Sequence, residues 1–369
     1  MSPVDRSKYG DGFSDGLTPL TPIDVTQAAS VSELLKQYAL TAFGGRQLGE
    51  AAEVAEAMIR DPKCFVVMTL SGAMTVAKQG LLVCEMIDRG WVQAIISTGA
   101  LMCHGLVEAQ GRAHFKHDAR MNDSELYDKG YDRVYDTIEL EASLDETDHF
   151  VRSVIDKLPE GTTLSSQLVF YELGKHLDNT LPKSARAILR SAYRKGVPIY
   201  VPAFTDSEIG LDIATMNHLR SRAGKSRRPF DPYLDLDDYA RWVASQERNG
   251  VFTIGGGVPR NWAQQVGPYL DLLEKRTGIP SLGFRFSYGV RICPEPVHWG
   301  GMSGCTYSEG VSWGKFVPSQ EGGRFAEVLS DATVVWPLLT RGLIERLGDK
   351  PVAKDLKPQL PSAEALFKR

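Results

Sequence analysis

The stretch Cys64–Thr98, "CFVVMTLSGAMTVAKQGLLVCEMIDRGWVQAIIST", decides the fold. It opens on a short apolar run, Cys64–Leu70, with no alternation of polar and apolar positions. A run of that length and composition reads as a strand buried on both faces. The small-residue turn "SGAMT" follows, then the helical stretch "VAKQGLLVCEMIDRG", then a second buried strand, "WVQAIIST", which ends at Gly99. Strand, turn, helix, strand is a βαβ unit. It predicts an α/β protein: a single large Rossmann-like domain with a mostly parallel, doubly wound sheet.

Working outward, the same pattern returns. "SSQLVFYELGKHL" and "SARAILRSAYRKG" precede the apolar run "VPIYVPAF", and "YLDLDDYARWVASQERNG" precedes "VFTIGGG". Upstream, "VSELLKQYALTAFGG" has a helical period that Gly44 and Gly45 are expected to stop, and "QLGEAAEVAEAMIRD" is a second helix. The polar segment His114–Asp136 reads as a surface insertion. No Pro/Ser-rich linker separates the units, so one domain is expected over residues 22–350. Residues 1–21, rich in Gly, Ser, Asp and Pro, read as a mobile N-terminal arm, and 351–369 as a C-terminal tail.

Composition narrows the class. With 43% hydrophobic and 24% charged residues the chain is ordinary for a globular protein, and its net charge of −4 gives no electrostatic case for nucleic acid. Five cysteines with no CxxC pair argue against a disulfide framework or a zinc site. His114, His117 and Asp118 have spacing a metal can use, but a polar insertion accounts for them, so no metal is expected. No signal-peptide pattern opens the chain and no apolar run approaches the ~20 residues of a membrane span. The expectation is a soluble, cytoplasmic protein with no membrane contact.

In doubly wound sheets, ligands lie at the carboxyl ends of the strands. Four turns fall there: "SGAMT", with Gly72, Ala73, Met74 and Thr75; "STGALMCHG", with Thr98, Gly99 and His104; "TDSEIG", with Asp206; and "GGGVPRN", with Gly255, Gly256 and Gly257. Small residues at such turns let backbone N–H groups approach a phosphate. The dinucleotide fingerprint GxGxxG is absent, so spacing alone does not establish a cofactor site.

Near the C-terminus "YSEGVSWGKFVPSQ" (307–320) sets Lys315 after a Trp-Gly pair, with Glu309 six residues upstream. A lysine there is either a surface residue after a turn or a desolvated amine able to attack carbon. The wider sequence favours the second. "SGCTYSEGVSWGKF", "LSDATVVWPLL", "VPAFTDSEIG" and "IGGGV" together resemble the deoxyhypusine synthase family, over about Ala42 to Leu343.

That resemblance implies NAD as cofactor and a polyamine substrate. A hydride leaves a polyamine carbon, an enzyme lysine captures the aminobutyl group as an imine, an acceptor amine displaces the lysine, and the retained hydride reduces the new imine. Lys315 matches the imine-forming lysine, Trp313 the indole along the polyamine, and Glu309 a carboxylate for an ammonium end. Asp206 and Asp331 match NAD-contacting carboxylates, although either also suits a helix cap. The resemblance further implies a homotetramer with its site at a subunit interface.

Five positions depart from the family pattern. His104 stands where a cofactor-contacting Glu is expected. A histidine at such a strand end is more often a structurally satisfied residue; in a functional role it is a general base or a cofactor donor. Trp299 and Met302 replace two Asp residues, Asn261 replaces a His, and Leu211 replaces a polyamine-binding Asp that Asp212 is placed to substitute. Each lost carboxylate removes a partner for an ammonium group. The leading expectation is therefore an NAD-dependent aminobutyl transferase acting on small polyamines, homospermidine synthase-like. The alternatives are deoxyhypusine synthase proper, acting on a lysine of a translation factor, and an amine- or nucleotide-binding relic. A pyridoxal-phosphate enzyme using Lys315 fits the strand pattern less well.

Overall fold

The computed structural model describes residues 9–278 and 283–358. Two helices, α1 (Val31–Ala39) and α2 (Phe43–Arg60), lead into β1 (Cys64–Leu70), α3 (Gly80–Asp88), β2 (Ala94–Ser97) and α4 (Gly99–Ala109). The polar segment then forms β3 (Phe115–Lys116), α5 (Asp123–Asp128), β4 (Tyr131–Val134) and β5 (Thr137–Leu140). Helices α6 (Glu141–Ile155), α7 (Ser166–Thr180) and α8 (Ile188–Lys195) precede β6 (Ile199–Tyr200). Next come α9 (Glu208–Arg222), α10 (Tyr233–Ala244), β7 (Arg248–Ile254) and α11 (Gly257–Thr277). The chain closes with β8 (Phe286–Ile292), α12 (Tyr307–Ser312), β9 (Arg324–Val328) and α13 (Ala332–Leu347).

The main sheet has the order β6-β2-β1-β7-β8-β9 and every pairing in it is parallel. Counting only its own strands along the chain, that is 3-2-1-4-5-6, the doubly wound dinucleotide-binding order. The order reverses between β1 and β7, whose ends Leu70 and Ile254 are direct partners. The strand period of two divides the core. Val66, Met68 and Leu70 of β1 face a cluster with α2, α3, α4, α7 and α13. Phe65 and Val67 face another with α10 and α11. Both faces of β1 are covered, which is why its sequence shows no alternation.

Several boundaries differ from the sequence reading. Gly44 and Gly45 do not stop a helix. α1 already ends at Ala39, and the pair sits in the first turn of α2, where N–H groups lack intrahelical partners and a glycine costs little. The helix after β1 begins at Gly80 instead of Val76, because Lys78 takes φ 61° in the preceding turn. "VPIYVPAF" contributes only Ile199–Tyr200 to the sheet. The surface insertion is itself a sheet, ordered β3-β5-β4. Of the expected arm, residues 1–8 lie outside the described residues. The described part of the tail is held on the body: Val352 N–H donates to Arg89 O at 2.9 Å, and the Lys354 ammonium donates to the carbonyls of Ile59 (2.8 Å) and Asp61 (3.0 Å) at the end of α2. Among the described residues no helix is long and apolar enough to cross a membrane.

Candidate active site

The motif "SEGVSWGKF" has a specific local conformation. Thr306 caps α12, its hydroxyl accepting from Glu309 N–H at 3.0 Å. The helix ends on Trp313, and Gly314 takes φ 69°, a left-handed conformation that a side chain strains. This turn sends Lys315 back under the helix, where its N–H bonds Gly310 O at 3.1 Å and its carbonyl accepts from Phe286 N–H at 3.0 Å. Tyr307, Phe316 and Phe325 pack as an aromatic cluster beneath. The peptide groups on both sides of Lys315 are therefore fixed, and only the side chain is free to act.

Lys315 is buried, 8% exposed, and opens onto a cavity of about 280 Å³ that it shares with Glu309, Trp313, Asn261, Arg260, Cys305 and Met302. Its ammonium donates to Asn261 Oδ1 at 3.3 Å. Burial holds its pKa below the ordinary lysine value, and the Arg260 guanidinium pushes the same way, while Cys305 and Glu309 oppose. No ion pair within 4 Å joins Lys315 to Glu309 among the described residues. The cavity therefore holds a partly desolvated amine, a separate carboxylate and an indole face. Trp313 is 64% exposed and Trp299 70%, with Met302 also exposed. Trp299 is not among the residues lining the cavity.

Arg260 was not singled out from the sequence, yet it shapes one wall. It is buried on α11 and donates to Met302 O at 2.9 Å and Cys305 O at 2.7 Å, with its charge over the Tyr307 ring. Arg291 of β8 donates to the same Cys305 carbonyl at 2.8 Å and pairs with Glu327 of β9. Loop 302–305 is thus tied to both sheet and helix. The sequence signal was only an arginine two residues after "GGGV", and its burial depends on the tertiary fold.

The glycine turns meet at the switch point. Ser71, after β1, accepts from Gly256 N–H at 3.1 Å and donates to Gly256 O, and Thr98 Oγ1 donates to Gly72 O at 2.7 Å. Gly257 N–H donates to Ser303 Oγ at 3.0 Å. A Cβ on Gly256 would lie 2.4 Å from Ser303 Cα, so this backbone crossing needs glycine. The crevice therefore joins the Gly255–Gly257 turn to the loop that walls the lysine cavity. Its strand order and backbone-rich lining fit a dinucleotide.

Other expected cofactor residues are committed elsewhere or lie apart. Thr75 is buried, its hydroxyl donating to Leu101 O at 2.9 Å, and Met74 packs on the core. Ala73 sits in the turn just before them, and Gly99 opens α4. Asp331 caps α13, accepting from Thr333 N–H at 2.8 Å and the Thr333 hydroxyl at 2.9 Å. Asp206 is exposed, just before the Ser207 cap of α9. Burial raises the Asp212 carboxyl to about 7, helped by Asp148 of α6 and Glu208 of α9 and opposed by Arg152 of α6. His104 lies inside α4 beside Glu139, outside the lining of the lysine cavity.

The comparisons agree with this architecture. The family model described as deoxyhypusine synthase matches residues 33–343. A probable deoxyhypusine synthase 2 from Methanosarcina acetivorans is 34% identical over 331 residues, covering 90% of this chain and 91% of the relative. A deoxyhypusine synthase-like protein from Chlorobaculum parvum is 31% identical over 337 residues, covering 91% of each. A crystal structure of a putative deoxyhypusine synthase from Entamoeba histolytica has the same fold, with a TM-score of 0.58 at 14% identity over 88% of this chain and 96% of that one. The chain belongs to the deoxyhypusine synthase family, a family of aminobutyl-transferring enzymes.

Proposed function

We propose that this chain is an NAD-dependent aminobutyl transferase in which Lys315 carries the group between donor and acceptor amines. The observation that carries the reading is the buried Lys315 amine, its pKa lowered, sharing one cavity with Glu309 and Trp313. Gly72, Thr98, Gly255, Gly256 and Gly257 would hold the dinucleotide at the switch point, and Asp206 and Asp331, at the starts of α9 and α13 beyond the two edge strands, are the carboxylates that the family resemblance adds. Bound there, a nicotinamide supplies the hydride acceptor that the chemistry needs. The chain's own groups do the rest. A neutral Lys315 amine is the nucleophile toward an imine carbon. Asn261 orients that amine through its Oδ1 without adding charge. Glu309 pairs with a distal ammonium, and the Trp313 face lies along the alkyl chain and attracts its cationic ends.

Two acceptors are in question. The relatives' names favour a protein lysine, as in deoxyhypusine synthase, over a small amine. The small-amine reading, homospermidine synthase-like, is supported by Trp299 and Met302 standing where the family has carboxylates, since fewer anionic contacts favour a different amine. The exposed Trp299, Met302 and Trp313 beside the cavity support a homo-oligomer, the tetramer that the family implies. The deciding experiment incubates the protein with NAD and labelled spermidine, putrescine or agmatine. Free amine products are then separated by chromatography and label is counted on a candidate translation factor. Label on the factor supports the first acceptor and a labelled free triamine the second. Neither product, with NAD bound, overturns the transferase reading.

A further inference from the structure

The insertion sheet sets a row of polar side chains by its register. Phe115 of β3 pairs with Ile138, and Asp132 of β4 with Glu139. His114, one step before Phe115, therefore lies opposite Glu139 in the antiparallel ladder. Residues directly opposite share a face, so His114, Glu139 and Asp132 stand side by side. His104 of α4 meets this row: its Nδ1 approaches one Glu139 oxygen at ion-pair range, and His114 Nε2 lies 3.4 Å from the other. One nitrogen from each imidazole and one Glu139 oxygen all fall within 4.8 Å of one another.

These groups are deeply enclosed. The side chains of His114 and Glu139 are 0% and 2% exposed, and that of His104 10%. Even so, His104 Nδ1, His114 Nε2 and both Glu139 oxygens have no partner in hydrogen-bond geometry, and neither has the buried Oδ2 of Asp132. Buried charge is normally paired with good geometry or bound to a metal. Two imidazoles and a carboxylate converging from three elements are a known ligand set for zinc and its neighbours, with a fourth position open. Calcium and magnesium prefer all-oxygen cages, which two imidazoles do not offer.

We propose that His104, His114 and Glu139 form a binding site for one divalent transition-metal ion, best matched by zinc. The ion ties the insertion sheet to α4, the helix that starts at Gly99 beside the cofactor crevice. That sheet has little apolar support of its own: Ile138, and Leu126 from α5, are its buried hydrophobic residues. The surrounding residues show how the ligands are held. His114 Nδ1 lies 2.8 Å from Lys78 Nζ and 3.8 Å from Glu108 Oε1. An ammonium only donates, so here Nδ1 accepts and Nε2 keeps its proton. Ligation through Nε2 moves the proton to Nδ1, where Glu108 accepts it while Lys78, with a half-exposed side chain, turns outward. None of these residues lines the lysine cavity, and the site stands independently of the transferase reading.

The test uses the full chain, stripped with a chelator and titrated with zinc chloride by calorimetry at neutral pH. One ion per chain is expected, with a rise in the thermal midpoint. Glu139→Gln should weaken binding by more than about 100-fold, and Glu108→Gln by roughly 10–100-fold, as for outer partners of a ligating histidine. X-ray absorption on the unmodified, zinc-loaded chain should show nitrogen and oxygen neighbours at about 2.0–2.2 Å with imidazole scattering. No stoichiometric binding, a sulfur neighbour at about 2.3 Å, or undiminished binding by folded Glu139→Gln overturns the proposal. If Glu139→Gln does not fold, the absorption spectrum decides on its own.

Discussion

Replacing Asn261 by Asp adds a negative charge beside the Lys315 ammonium and nothing else of comparable size. The amide oxygen lies 3.3 Å from Nζ in the structure. Two unit charges at that distance attract by about 5 kcal/mol at an effective dielectric of 20, and by roughly half that with the cavity open to water. The lower figure raises the lysine pKa by about 2, because each pKa unit corresponds to about 1.4 kcal/mol. Only the neutral amine attacks carbon, so the reactive fraction below that pKa falls by roughly 60-fold. The assay follows borohydride-trapped adduct on Lys315 against pH, with NAD and a polyamine donor. Asn261→Asp should move the alkaline rise of the profile upward by about 2 pH units. Asn261→Ala, which adds no charge, should leave the midpoint near the wild-type value. A wild-type profile in folded Asn261→Asp would refute the reasoning that the charge state of Lys315 controls the reaction.

The remaining predictions concern the walls of the site and the frame. Trp313→Ala should raise the polyamine KM about 5-fold, the loss of a partly exposed cation–π contact of about 1 kcal/mol, with kcat little changed in steady-state assays. Gly256→Ala should destabilise the fold by about 1–3 kcal/mol and weaken NAD binding, because the new Cβ meets the Ser303 backbone; thermal melts and cofactor titration read both effects. Asp212, held near 7 against a usual 3.8, makes the folded chain bind more protons than the unfolded between those values. Stability attributable to it therefore falls as pH rises through that window. Asp212→Asn should match wild type near the lower value and exceed it by about 1–2 kcal/mol above pH ~7, the figure being reduced for partial solvent screening, in urea titrations at the two pH values.

The parts of the fold legible in the sequence were those with local causes. β1 announced itself because both its faces are covered, and β2 because it runs beside β1 in the same layer. β8 and β9 escaped notice: "FSYGVRI" carries a central glycine and an arginine, and "RFAEV" puts Arg291's partner Glu327 in mid-strand. Arg291 and Glu327 are explained by a part-buried ion pair across the two strands that no single-strand pattern reveals. In the lysine cavity, Lys315, Trp313 and Glu309 fall within one turn of helix and its exit, so sequence proximity placed them together. Arg260 and Cys305 join them only through the crossing of α11 with loop 302–305. Glu139 was invisible for the same reason, since its neighbours His104 and His114 come from a helix and from the residue that leads into a paired strand.

The most direct test of the account is covalent capture at Lys315. The protein is incubated with NAD and spermidine, reduced with borohydride, digested and sequenced by mass spectrometry. A saturated aminobutyl adduct on Lys315, absent without NAD and absent from Lys315→Ala, is the predicted result. A folded, NAD-binding protein that turns over polyamine yet carries no adduct at Lys315, or carries it on another lysine, would contradict the assignment of this buried amine as the carrier.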